Sequence, residues 1–255
     1  MTTLHLTTCQ AGNTDAVTAG LAAHLADRLG ISIHVVDDLD WPARYAAIAS
    51  GAMEIGWICG WPFAQFLQRA DVDVELLAVP VYAAPRYADA PIYFSDVIVH
   101  AGGPFHRFDD LRGSTFALNE PNSMSGWQTV RRHLRAVGTP TPFFGRLVET
   151  GGHVASIAAV RDGRADAAAI DSTVWEWRTA AQPDLLADLR VIETIGPAPG
   201  PPWVISRRVE PALRRRLRDA LLHLHTDAAG RAVLAVGGLR RFAPSDPDVY
   251  RRLAD

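Results

Sequence analysis

The sequence has no lysine: all 25 of its basic residues are arginine. That absence excludes Schiff-base chemistry and any glycine-rich phosphate loop ending in Lys-Ser/Thr. Cysteine is scarce, with only Cys9 and Cys59, and neither has a second thiol or a histidine at ligand spacing. They match no zinc signature and read as two free, small apolar side chains. No run of 18 apolar residues occurs, so no membrane-spanning helix is expected. No excess of one charge exists either: 25 basic against 28 acidic residues leave a net charge of −3. A chain without a global positive field is not expected to bind nucleic acid or an anionic membrane, so any anion must be held locally. Hydrophobic residues at 48% and charged residues at 21% place the chain among folded globular proteins. The N-terminus shows no basic segment with an apolar stretch and no Ala-x-Ala site. As the sequence stands a cytoplasmic location is expected, and an extracytoplasmic one if a leader was removed.

What is present is an α/β rhythm. Strands are predicted at Leu4–Thr8, Ile31–Val36, Glu54–Ile58 and Val74–Val79. Helices are predicted between them: one carrying Val17, Leu21, Leu25 and Leu29 and stopped by Gly30, one starting at Pro42 and ending at Gly51, and one from Pro62 to Arg69. Such alternation implies a mainly parallel sheet with helices on both faces. The loop Tyr82–Pro91 interrupts it. A second series follows, with strands at Tyr93–Val99, Thr115–Leu118, Phe143–Val148 and Ala165–Ile170, a short helix at Phe108–Leu111, and helices at Ser125–Val137 and His153–Arg161. The stretch Gly196–Pro202 holds four prolines and two glycines in seven residues and is expected to be irregular. The chain returns through Trp203–Ser206 into an arginine-studded helix, whose run Arg214–Arg218 reads as a solvated face. Two lobes are therefore expected, residues 1–92 plus 203–255 and residues 93–202, with a ligand cleft between them lined by the loops that follow strands.

The most informative of those loops is Asn119-Glu-Pro-Asn-Ser-Met-Ser-Gly126, a strand end leading into a helix. Ser123 or Ser125 can cap that helix, whose first N–H groups lack partners by construction. Free N–H groups, two hydroxyls and the positive end of a helix dipole make an anion site that needs no cationic side chain. His223 and His225, two apart on a helix, face different directions and are not a metal site. No hydrolase, metalloprotease or dinucleotide motif occurs, and no metal or cofactor is expected.

That loop, with Tyr93-Phe-Ser-Asp-Val-Ile-Val99 and Phe108-Asp-Asp-Leu-Arg-Gly-Ser-Thr-Phe-Ala117 before it, resembles the core of the phosphonate-binding family. These are solute receptors of ABC importers with the two-lobe, type II periplasmic-binding-protein fold. Thr150-Gly-Gly-His153, the run Val160–Asp171 and the segment Ile48–Trp57 are similar to further family segments, in the same order along the chain. The resemblance implies a small-molecule anion as ligand and an ABC permease as partner. Carried over by position, it implies that Ser123, Ser125, the Gly126 backbone and His153 face the oxyanion, with Asn122 as a ligand-binding residue just before them, and that Asp171 accepts from an ammonium or a protonated phosphonate oxygen. Met124 departs from the pattern, standing where tight phosphonate binders carry a hydroxyl. Trp57, Gly60, Trp61, Tyr82, Tyr93 and Trp127 are expected to supply the rest of the site, with Trp61 and then Trp57 as the direct aromatic wall. From Met124 and this wall, phosphate and simple alkylphosphonates are expected to bind poorly, and a ligand with an apolar or cationic body to bind better. The alternative is a cytosolic enzyme on the same fold, similar to those of menaquinone- or thiamine-precursor biosynthesis, with His153 as its base.

Overall fold

A computed structural model describes residues 2–139 and 142–254. The chain divides into two compact units, residues 1–92 with 199–255 (unit 1) and residues 93–198 (unit 2).

Unit 1 begins with β1 (Thr3–Thr8), α1 (Asp15–Leu29), β2 (Ser32–Val35), α2 (Trp41–Ser50), β3 (Ile55–Trp57), α3 (Gly60–Phe66) and β4 (Val74–Tyr82). α1 and α2 each stop at a glycine in the left-handed conformation, Gly30 and Gly51, where a side chain would be strained. Unit 2 contains β5 (Ile92–His100), β6 (Thr115–Leu118), α4 (Thr129–Ala136), β7 (Arg146–Glu149), α5 (His153–Arg161), β8 (Ala167–Asp171), α6 (Ser172–Ala181) and β9 (Leu189–Pro199). The chain then returns to unit 1 as β10 (Trp203–Ser206), α7 (Pro211–Leu222), α8 (Ala228–Val236), β11 (Leu239–Ala243) and α9 (Asp248–Arg251).

The unit 1 sheet has the order β11-β4-β10-β3-β1-β2. β1 pairs in parallel with β2 and β3, as the early alternation predicts. The returning β10 inserts antiparallel between β3 and β4, and β11 runs antiparallel along β4. The sheet is therefore more mixed than the alternation predicts, because late strands of opposite direction complete it. Its core is aromatic: Trp57 packs on Trp203 at 5.6 Å, Trp203 on Phe242 at 5.9 Å, and Phe63 edge-on against Tyr250 at 5.0 Å. Arg214 is not on a solvated face: it pairs with Glu75, and Arg218 donates to the Leu76 carbonyl. α7 lies over β4, so arginines on its inner edge meet carbonyls and a carboxylate, whereas Arg215 and Arg216 are exposed. Cys9 is buried and Cys59 half-buried, as small apolar side chains would be.

The unit 2 sheet has the order β7-β6-β8-β5-β9. β6 is parallel to both β7 and β8, so the carboxyl ends of these three strands lie together, whereas β5 runs antiparallel to β8. The core is built on Phe116 stacked on Phe144 at 4.2 Å, with Val97, Leu111, Val130 and Ile195 around them. Two expectations change here. β9 continues through Gly196–Pro199, where irregular chain was expected; it is an edge strand, so Pro197 and Pro199 remove no ladder bond that the sheet needs. The helix expected from Ser125 opens as a π-helical turn, Met124–Gln128, before α4 begins. Both Trp127 and Gln128 donate their N–H to the Ser123 carbonyl, and this widens the turn.

Candidate functional site

The loops after β6, β7 and β8 meet because these neighbouring strands are parallel, and this end of a sheet is where α/β folds bind ligands. β6 delivers Asn119 and the turn behind it, the loop after β7 delivers His153 at the start of α5, and β8 ends at Asp171. Two main-chain bonds tie the first two loops together, from Thr150 N to Leu118 O at 2.9 Å and from Gly151 N to Asn119 O at 2.8 Å.

A relay of polar side chains shapes the turn. Thr150 Oγ1 and Ser156 Oγ are 2.6 Å apart, Ser156 Oγ donates to Asn119 Oδ1 at 3.2 Å, and Asn119 Nδ2 donates to Ser123 Oγ at 3.3 Å. Ser123 Oγ also caps the turn, accepting from Gly126 N at 3.0 Å. Gly126 is required by closeness: a Cβ there would stand 2.9 Å from both Asn119 Cγ and Ser123 Oγ. The consequence for chemistry lies in hydrogen count. A serine hydroxyl accepts twice and donates once. Ser123 already accepts twice, so its own hydrogen is left to donate, with no acceptor among the described residues. The Met124 and Ser125 N–H groups that open the turn likewise have no hydrogen-bond acceptor among the described residues.

Ser125 is joined to the other two loops. Its Oγ lies 3.0 Å from His153 Nε2 and 3.5 Å from Asp171 Oδ2, while the Asp171 N–H points at His153 Nδ1 from 3.4 Å. Asp171 Oδ1 accepts from Thr173 N at 2.8 Å and Thr173 Oγ1 at 2.7 Å, which makes Asp171 the cap of α6 as well. Ser125, His153 and Asp171 are buried, and Thr173 is half-buried. Burial lowers the His153 pKa to about 3, against a hydrogen bond with the Ala169 backbone that works the other way, so the ring is neutral at pH 7. Burial raises the Asp171 pKa to about 6, with the Asp96 carboxylate adding to the rise and the Thr173 bonds opposing it. The site thus contains no cation. It offers hydroxyl and main-chain N–H donors to an anion, with the one N–H of the neutral imidazole holding Ser125 Oγ, beside a carboxylate whose pKa is raised to about 6.

The other predicted residues fall elsewhere. Asn122 is half-buried at the start of the turn, and Met124 is buried, 1% exposed. Trp127 turns away from the serines into the unit 2 core, against Phe116 and Phe144. Tyr93 is buried in β5, and Tyr82 is buried in β4 with its ring 5.1 Å from Tyr87. Trp57 is fully buried in unit 1, where its Nε1 donates to the Pro201 carbonyl at 3.0 Å and its ring covers Trp203. It serves packing, which corrects its expected place in an aromatic wall. The Gly60 Cα faces Tyr250 and Leu253 of the same unit. Trp61 alone of the unit 1 aromatics named for the site is half-buried. Reading the residues in sequence missed Asn119, Thr150 and Ser156 as the frame of the turn. The signal for Asn119 was a polar side chain directly after a buried strand.

Among the described residues, no three His, Cys, Asp or Glu are arranged to hold a metal, and no helix is long and apolar enough to cross a membrane. The profile of the family described as "ABC transporter, phosphonate, periplasmic substrate-binding protein" matches residues 7–250. The chain belongs to this family. It is 22% identical over 222 residues to the phosphonates-binding periplasmic protein of Escherichia coli K12, covering 86% of this chain and 64% of that protein's length. Two solved structures share the fold at a TM-score of 0.85. One is a binding-protein component of an ABC phosphonate transporter from Pseudomonas aeruginosa, 20% identical, with 99% of this chain and 85% of that one covered. The other is PhnD1 of Prochlorococcus marinus in complex with methylphosphonate, 17% identical, with 99% and 96% covered. The fold is thus the two-lobe α/β fold of type II periplasmic binding proteins. The biosynthetic-enzyme alternative finds no support among these relatives.

Proposed function

We propose that this chain is the solute-binding component of an ABC importer, and that it takes a small organic anion, phosphonate-like or bearing another oxyanion, on the turn Ser123–Gly126. The observation that carries the reading is the hydrogen count at Ser123: with both lone pairs occupied, its O–H must donate outward, beside the open Met124 and Ser125 N–H groups. With His153 Nδ1 accepting from Asp171 N, the one N–H of the neutral ring donates from Nε2 to Ser125 Oγ and leaves the Ser125 O–H to complete the donor set, and Asp171 receives an ammonium or, when protonated, donates to an anion oxygen. An enzyme built on His153 is disfavoured, because a base with a pKa of about 3 has little drive to take a proton at pH 7. The importer reading adds a permease as partner and sets the protein to work outside the cytoplasm, where its family is described, which is the second of the two locations expected from the sequence.

A thermal-shift panel of phosphonates, phosphate esters, sulfonates and amino-bearing anions tests this. A ligand at a hundredfold excess over its Kd adds about 2.7 kcal/mol of stability. One class is expected to do so, with phosphate and methylphosphonate giving little shift because Met124 brings no hydroxyl to the turn. A panel in which no anion stabilises the protein would contradict the proposal.

A further inference from the structure

Unit 2 holds a cavity of about 570 Å³ between α4 and the segment around residues 143–147. That size suits a small organic molecule. Trp127, Arg131, Leu134 and Arg135 are spaced by four, three and one residues, so they share one helix face and form one wall. Phe143 and Phe144 form the other. Leu147, 47% exposed on β7, leaves apolar surface at the opening. The lining contains two guanidinium groups and no acidic residue. Arg131 uses one N–H on Gln128 Oε1 at 3.3 Å and keeps its remaining donors. Arg135 is exposed and makes no ion pair or hydrogen bond among the described residues. Ser123, Ser125, His153 and Asp171 take no part in this lining.

We propose that this cavity is a second small-molecule site, separate from the serine turn, and that it takes an amphipathic organic anion: an aromatic or aliphatic body against the rings, and a carboxylate or sulfonate on Arg131 and Arg135. The chemistry of the two walls makes the choice. The Trp127 ring and Leu147 offer the accessible apolar surface, the faces of Phe143 being taken by Phe108 and Arg112, and a cation would meet two arginines with no carboxylate to offset them. A small hydrated ion such as phosphate gains nothing from the rings. An anion attached to a ring system uses both features, and the planar forks of two arginines one helical turn apart suit a carboxylate or sulfonate.

Calorimetric titration of the whole chain with naphthalene-2-sulfonate and with its neutral counterpart, naphthalene-2-methanol, tests the proposal. The sulfonate is expected to bind one to one and about tenfold more tightly than the alcohol. Arg131→Gln with Arg135→Gln, both changes of helix-surface side chains, is expected to bring sulfonate affinity down roughly tenfold, to that of the alcohol, with the far-UV spectrum unchanged. Ser123→Ala with Ser125→Ala is expected to leave it within about twofold, since neither hydroxyl lines the cavity. Equal affinity for the two probes, or no binding of the sulfonate, would overturn the proposal. So would loss of binding in the serine variant with retention in the arginine variant, which would place the probe on the serine turn.

Discussion

The carboxyl ends of the parallel strands are built in opposite ways in the two units. In unit 1, β3 ends in Trp57, and the space beside it is filled by Trp203 and Phe242. Trp57 Nε1 donates to Pro201 O and Tyr250 Oη donates to Gly200 O at 2.7 Å, so the one buried ring donor here without a partner among the described residues is Trp203 Nε1, set against other rings. In unit 2, β6 runs into Asn119 and β8 ends in Asp171, and the space between them holds serines, an imidazole and open N–H groups. The same topological position therefore carries a closed aromatic core in one unit and unused hydrogen-bond donors in the other. Burial by itself does not mark a binding site, since Trp57 and Ser125 are both buried. What separates the two places is that unit 2 gathers open donors on one polar turn, the Ser123 hydroxyl and the Met124 and Ser125 N–H groups, whereas the open Trp203 Nε1 of unit 1 stands alone among aromatic rings.

The largest expected effect follows from the unit 1 side of this contrast. Trp57→Ala should lower stability by about 3–5 kcal/mol, the usual cost of deleting a fully buried large aromatic ring, and should also orphan the Pro201 carbonyl. Trp61→Ala, at a half-exposed position, should cost about 1 kcal/mol or less. Urea denaturation of both variants checks the ranking, and equal losses would erase the distinction between a packed and an available tryptophan.

A smaller effect sharpens the unit 2 side. His153 has a pKa of about 3 in the folded state against 6.5 ordinarily, so its contribution to stability is present above pH 6.5 and is lost as the pH falls below that. Asp171 has a pKa of about 6 against 3.8, so it stabilises the folded form at acid pH, and that contribution is lost as the pH rises from about 4 to 6. The two oppose each other between pH 4 and 6. Relative to the parent protein, Asp171→Asn should lose stability on acidification through this window and His153→Gln should gain it, each by up to about 1.4 kcal/mol per pH unit. Denaturant midpoints at pH 4, 5, 6 and 7 measure both slopes. Curves parallel to the parent's would show that neither group titrates as its burial requires.

Much of the fold was legible in sequence because local signals agreed with the tertiary outcome. α5 begins at His153 and ends at Arg161 as read, and β6 spans Thr115–Leu118 as read. The convergence of Ser123, Ser125, His153 and Asp171 was legible only through the family's order of segments; periodicity alone does not bring residues 28 and 46 positions apart to one serine. The fate of Trp57 depends on Trp203 in β10 and on Pro201 just before that strand, more than 140 residues later, and nothing near residue 57 announces them. The edge position that lets β9 keep Pro197 and Pro199 is likewise a property of the sheet, not of the segment. Ser156 carries a partial signal: it follows His153 by three residues on the buried face of α5, which fits a polar group held inside.

The central claim is that the Ser123–Gly126 turn, with its unused hydroxyl and N–H donors, is where the anion is held. Titration calorimetry of the anion selected by the thermal-shift panel, on the parent protein and on the Ser123→Ala, Ser125→Ala double variant, tests it most directly. Two hydrogen bonds to a charged group are worth roughly 1.5–3 kcal/mol each, whereas the lost cap costs about 1 kcal/mol of stability. The account predicts a loss of at least about tenfold in affinity with the fold retained. Unchanged affinity in the double variant would contradict it and place the anion elsewhere.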